Sequence, residues 1–213
     1  GTTGIVAQKL GENNIEEVFF SLIRPLLMAF LIGVSLFLST SYLYDLSVYF
    51  LTPNEEIKEF YKEYLFIRMV GLPAGLLNIV FLGWFFGMQK TKSVMLQLII
   101  INLVNIFSSL FFVVYLDYGI YGVALGSVLA QVSGLLLSII IFFNYFKILN
   151  LNSFKLNNLL KLRGFLNLFS ISQNLFLRTI LLVSVQAYLI KKTGLIGVDE
   201  LATMSILLVI FSF

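Results

Sequence analysis

Long apolar runs separated by short polar connections dominate the chain, and most runs approach the roughly 20 residues that a helix needs to cross a bilayer. The pattern predicts spans over about 22–43, 64–88, 94–116, 121–146 and 165–190, with a sixth beginning near Leu201 and still apolar at Phe213. Residues 1–11, rich in glycine, read as the exit of an earlier span. Because the sequence opens without Met and stops inside an apolar run, it is expected to be an internal part of a longer protein. A secretory leader is not the expectation, since no basic region with a single short apolar core opens it.

Basic residues in the connections predict the orientation, because Lys and Arg are retained on the cytoplasmic side. Lys9, Arg24, Lys90, Lys92, Lys147, Lys155, Lys161 and Arg163 fall on one side. The other carries Lys58, Lys62, Lys191 and Lys192 beside Glu55, Glu56, Glu59, Glu63, Asp199 and Glu200. The start of the chain is therefore expected in the cytoplasm. Residues 147–163, basic and interleaved with Leu, Ile and Phe, suit either a helix lying in the headgroup layer or a plain tether between two bundles.

Small residues recur at every fourth position, at Gly71, Gly75, Gly83 and Gly87 in the second span and at Gly122, Gly126, Ala130, Gly134 and Ser138 in the fourth. Lipid tails are as apolar as leucine, so helices associate where small residues let backbones approach, and these ridges predict helix contacts. Pro73 removes the backbone hydrogen bond to the carbonyl of Met69 and predicts a kink, a candidate hinge.

Composition changes the picture mainly by exclusion. The chain is 59% hydrophobic and only 12% charged, against roughly 25% charged in soluble domains. A water-soluble body of this composition would expose large apolar patches, so an all-α membrane protein, a polytopic helical bundle, is the expected class. Cysteine and histidine are absent, which removes disulfides, imidazole bases and the common zinc ligands. No HExxH, GxSxG or P-loop pattern occurs, so an intramembrane enzyme or a self-contained ATP-driven pump is disfavoured. No cofactor, metal or nucleic-acid partner is expected.

Polar groups inside spans are the sharpest functional signal, since each must find a partner or a water-filled cavity. Asn102, Asn105 and Ser109 share one helical face of the third span, Gln131 lies at mid-depth in the fourth, and Asn167, Ser170, Asn174, Arg178 and Gln186 form a stripe on the fifth. Interhelical hydrogen bonding would account for any one of them, whereas the set together favours an aqueous cleft. Arg68 is expected at the outer interface, where it can snorkel to headgroups. Arg178 lies too deep for that and carries the strongest functional expectation.

The run Gly1-Thr-Thr-Gly-Ile-Val-Ala-Gln-Lys-Leu-Gly11, the segment Tyr64-Leu-Phe-Ile-Arg68 continuing through Pro73, Asn78 and Leu82-Gly-Trp-Phe-Phe-Gly-Met-Gln89, and Leu177-Arg178-Thr179 resemble the multidrug and toxic compound extrusion (MATE) family, in its DinF-like branch. That resemblance implies part of a two-lobe, twelve-helix transporter. Residues 1–146 would be the remainder of the N-terminal lobe, from the end of helix two through helix six. Residues 147–163 would be the cytoplasmic inter-lobe link, and 164–213 the start of the C-terminal lobe. It implies an antiporter driven by protons or sodium that exports organic, often cationic or amphipathic compounds by alternating access, in a bacterial plasma membrane. A flippase for lipid-linked saccharides, of related fold, is the alternative, favoured by Arg178 without acids at its depth. Three departures from the family pattern matter. Ser109 stands where an acid is common, Gln131 where Glu is frequent, and Asn174 where Asp is usual. None of these side chains can take up a proton, so coupling would rest on a carboxylate of the family's first helix, outside this chain.

Overall fold

The computed structural model describes residues 2–51, 55–146, 162–194, 203–204 and 207. They are helical apart from short turns, and no strand occurs among them. In order they form α1 (Thr2–Gly11), α2 (Ile15–Leu38), α3 (Thr40–Leu51), α4 (Glu55–Gly87), α5 (Thr91–Leu110) continuing into a π-helical turn (Phe111–Tyr115), α6 (Gly119–Phe146) and α7 (Leu162–Gly194). The chain divides into two compact units, Thr2–Gly164 and Phe165–Phe213.

Among the described residues, four helical stretches are long and apolar enough to cross a membrane: Ile15–Leu38, Lys58–Gly87, Thr91–Tyr115 and Gly119–Tyr145. The last two follow the expected spans to within three residues at each end, and the second ends one residue from the expected Met88 but starts six residues before the expected Tyr64. The first starts seven residues before the expected Leu22. Asn14 caps it, its side chain accepting from the Glu17 backbone N–H at 3.1 Å, and Glu16 and Glu17 sit favourably in the positive first turn. Further in, Arg24 donates to Glu17 at 2.9 Å and lies 5.1 Å from the Phe20 ring centroid, only 5% exposed. A charge that hydropathy assigns to a connection is thus neutralised inside the helix. The same span ends at Ser39 rather than Leu43. The Ser39 N–H makes the last bond of the ladder to Ser35 O, and the Thr40 hydroxyl donates to Phe37 O, a side-chain bond that competes with continuing the helix.

Three connections of three residues join α1 to α2, α4 to α5 and the π turn to α6, which makes those neighbours antiparallel. Each connection ends its helix with a left-handed residue, Asn13, Gln89 or Asp117. In the first, Lys9 donates to Glu12 at 2.7 Å. That bond above all holds the Glu12 carboxyl below its ordinary range, so the small stabilisation from this exposed pair is lost as pH falls through the lowered value.

The small residues sit at helix crossings. Gly71 and Gly75 meet Val128 and Gln131 of α6, and Gly83 and Gly87 receive Thr2, Thr3 and Val6 of α1. Gly122, Gly126 and Gly134 pack on Phe112, Ser109 and Ile101. Pro73 lies within the unbroken helix α4 against Gly33, whose added Cβ would fall 2.7 Å from Pro73 Cα. The kink-prone position is therefore also a close α2–α4 crossing.

The apolar core gathers at the end of the bundle that holds the α4–α5 turn, where Val6, Val18, Leu22, Phe81, Trp84, Phe85 and Val94 are buried together. Trp84 stands edge-on to Phe85 and Phe142 and donates its indole N–H to Val18 O at 3.0 Å. In the other unit α7 is one 33-residue helix containing the apolar stretch Phe176–Ile190. The expected link over 147–163 lies outside the described residues except for Leu162 and Arg163, which open α7. The expected sixth span lies outside them except for Thr203, Met204 and Leu207.

Candidate functional site

Away from the packed end, α4, α5 and α6 part to leave an open groove of about 530 Å³, within the roughly 300–1,000 Å³ usual for small-molecule sites. Its long wall is a stripe of α4 that includes Arg68, Leu72, Gly75, Asn78 and Leu82, positions three or four apart on one helical face. Leu98, Ile101 and Asn102 of α5 and Gln131 of α6 complete it. Gly75 brings Gln131 in, since an added Cβ there would touch the Gln131 amide at 3.5 Å.

Three amides tie the helices together beneath this groove. Asn78, 2% exposed, donates through Nδ2 to Gln131 O at 2.8 Å and to Gln131 Oε1 at 2.9 Å. A backbone carbonyl can only accept, so this contact fixes which end of Asn78 is nitrogen. Its Oδ1 must then face Gln97, whose Nε2 donates to it at 3.0 Å and approaches Asn78 O at 3.4 Å. The orientation of Gln97 follows in turn. Its Oε1 is left buried without a hydrogen-bond partner among the described residues. Such a group normally costs about 1–3 kcal/mol.

The expected site residues separate into three sets. Asn102 and Gln131 come together in the groove, Asn102 also donating to Leu98 O of its own helix at 2.8 Å. Asn105 and Ser109 turn instead to the α5–α6 contact. Ser109 Oγ donates to Asn105 Oδ1 at 3.4 Å, Asn105 Nδ2 to Ser127 Oγ at 3.2 Å, and Ser127 Oγ to Val123 O at 3.0 Å. Arg178 and Gln186 are exposed on α7, and Asn174 belongs to the same helix, its side chain lying outside the described residues. Arg178 is sixteen residues from each end of α7, about 24 Å along the axis either way.

Sequence reasoning did not single out Gln97, or Asn78 as a hub. Gln97 lies only three residues inside the expected start of its span, where a polar side chain reads as interfacial. Arg68 was expected as an anchor, yet it is half-buried and lines the groove. No carboxylate lines the groove among the described residues. A mixed lining of amide groups, apolar walls and one guanidinium can hold an amphipathic organic molecule without committing either partner to a proton transfer.

The MatE family model matches residues 1–111, just over half of the chain. The chain is 27% identical over 212 residues to DNA damage-inducible protein F of Escherichia coli (strain K12), covering 100% of this chain and 46% of that protein. It is 33% identical over 79 residues to Protein DETOXIFICATION 43 of Arabidopsis thaliana, covering 37% of this chain and 15% of that one. The chain thus spans about half the length of the first of these relatives or less. No solved structure gives a significant match.

Proposed function

The chain belongs to the MatE family, and from that premise we propose that it is part of a secondary antiporter that exports organic, cationic or amphipathic compounds in exchange for protons or sodium. Residues 1–146 then complete the N-terminal lobe, 147–163 link the lobes in the cytoplasm, and 164–213 begin the C-terminal lobe of a transporter in a bacterial plasma membrane. The start of the chain is cytoplasmic. That orientation puts the aromatic-packed end of the bundle inside the cell and the groove toward the opposite face.

The observation that carries this reading is the groove itself, a polar-floored opening between helices long and apolar enough to span a bilayer. Alternating access would use Pro73, seated on Gly33, as a hinge in α4 beside this groove. Asn105, Ser109, Gln131 and Asn174 contribute hydrogen-bonding groups without titrating, so a carboxylate elsewhere in the full protein supplies the coupling. The test is the complete protein in sealed vesicles under an imposed proton or sodium gradient. Gradient-dependent movement of fluorescent amphipathic dyes is expected, and no movement beyond empty vesicles for any of them would overturn the proposal.

Arg178, at the midpoint of α7 near the exposed apolar side chains of Leu177, Ile180 and Leu181, belongs to the transport pathway on this reading. Arg178→Ala is expected to reduce transport far more than the amount of protein inserted, measured by membrane quantification alongside dye flux. Equal losses in both would make it a structural residue. A second reading, a flippase for lipid-linked saccharides, is favoured by one observation, the Arg68 guanidinium in a groove with no carboxylate among its described lining. Binding of a lipid pyrophosphate by the complete protein, without gradient-driven dye exchange, would select it.

A further inference from the structure

Arg68 and Arg24 are both arginines within spanning segments, and their surroundings differ. Arg24 is buried against Glu17 at 2.9 Å, so its charge is met inside its own helix. Arg68 is half-buried, lines the groove, and makes no ion pair with any described residue. It lies five residues beyond Glu63, the last charged side chain before it on α4, about 7.5 Å along the axis. An unpaired guanidinium half-buried in the groove wall there is costly unless an acceptor reaches it.

The groove runs from Arg68 to Leu82 along α4, about 21 Å at 1.5 Å per residue. Its walls beyond the guanidinium are Leu72, Leu76, Ile79 and Leu82, and its floor is amide. A cation placed here would meet a like charge at one end and no carboxylate among the described lining. A molecule with an acidic head and an apolar body meets complementary chemistry along the whole length.

We infer that this groove takes an acidic amphiphile, its anionic group held by Arg68 through charge-assisted hydrogen bonds and its apolar body lying toward Leu82. The inference rests on the exporter reading for its biological meaning, and it narrows that reading's substrate class to compounds bearing an acid. The same chemistry has two sources, a transported solute and an anionic lipid of the surrounding bilayer.

The test uses the complete protein in nanodiscs of phosphatidylcholine, with dodecanoate and dodecyltrimethylammonium as probes of equal chain length. Dodecanoate is expected to bind more tightly than the ammonium probe. Arg68→Gln should weaken dodecanoate by about tenfold or more and leave the ammonium probe unchanged or tighter. Arg68→Lys, which keeps the charge and loses the planar fork, should retain part of the binding, and unchanged thermal midpoints would show that both variants are folded. Adding phosphatidylglycerol to the nanodiscs assigns the source. Competition in the wild type that disappears in Arg68→Gln identifies lipid as the occupant, and lack of competition identifies a solute. Equal binding of the two probes, or dodecanoate binding insensitive to Arg68→Gln, overturns the inference. Dye flux in vesicles made from the same preparations separates it from the parent reading. Gradient-driven flux with Arg68-independent dodecanoate binding sinks the acidic amphiphile alone, and Arg68-dependent binding without any flux sinks the exporter alone.

Discussion

Replacing Gly126 with leucine is expected to destabilise the bundle more than any other single change on its surface ridges. A Cβ at Gly126 would lie 2.4 Å from Ser109 Oγ, 2.7 Å from Ser109 N and 3.0 Å from Ser109 Cα. Two of those atoms are backbone, so no rotamer change relieves the clash and α5 itself must move. It cannot move locally, because the crossing is equally tight at Gly122, where an added Cβ would lie 2.9 Å from Phe112 Cβ, and at Gly134, where one would lie 2.3 Å from Ile101 Cγ1. Any shift also pulls on the Ser109–Asn105–Ser127 hydrogen bonds. Overpacking of this kind costs about 1–3 kcal/mol and more when backbone is displaced. The thermal midpoint of the purified protein in detergent should fall clearly, with Gly126→Ala falling less. Gly4→Leu is the control, since nothing lies within 4 Å of a Cβ built there. Equal midpoints for Gly126→Leu and wild type would contradict the close α5–α6 crossing.

The second large effect belongs to Asn78, because its one amide serves both neighbouring helices. Asn78→Leu removes the short side-chain acceptor of Gln97 Nε2 and the side-chain donor to Gln131 O and Oε1. Gln97, fully buried, would then keep only the long 3.4 Å contact of its Nε2 with the backbone carbonyl of residue 78, its Oε1 still unpaired. Each stranded buried group costs about 1–3 kcal/mol, so Asn78→Leu should be strongly destabilising. Gln97→Leu should cost less, because it also deletes an oxygen that has no partner. The double variant is the decisive comparison. Asn78→Leu with Gln97→Leu is expected to be more stable than Asn78→Leu alone, since it removes the stranded amide altogether. Thermal midpoints of the four proteins form the cycle, and simple additivity would mean that the two amides do not depend on one another.

The spans were legible because uninterrupted apolar runs leave a helix few alternatives in lipid. The first was misplaced for a specific reason. Hydropathy treats Glu16 and Glu17 as reasons to remain in a connection, whereas Glu17 and Arg24, seven residues apart on one helix, neutralise each other. The small-residue ridges were legible as contacts, but their partners were not. Nothing in a four-residue period says that Gly83 and Gly87 receive α1 while Gly71 and Gly75 receive α6.

The candidate site divides along the same line. Asn102 and Gln131 stood out as polar groups in apolar runs, and both line the groove. Asn105 and Ser109 stood out for the same reason, yet Ser127 on α6 completes their hydrogen bonding. Satisfaction depends on the facing helix, and one helix's periodicity does not contain it. Gln97 escaped notice through its nearness to a span end, although it is fully buried.

The groove's access to water is the central claim, and cysteine scanning of the complete protein in its membrane tests it most directly. The chain has no cysteine of its own, so single replacements on α5 report cleanly once any others are removed. Asn102→Cys, on the groove, should react rapidly with a membrane-impermeant thiol reagent, and Phe107→Cys, on the opposite face of α5, should stay inert. Rapid reaction at Phe107 with none at Asn102 would mean that the amide-lined face meets lipid instead of a hydrated path.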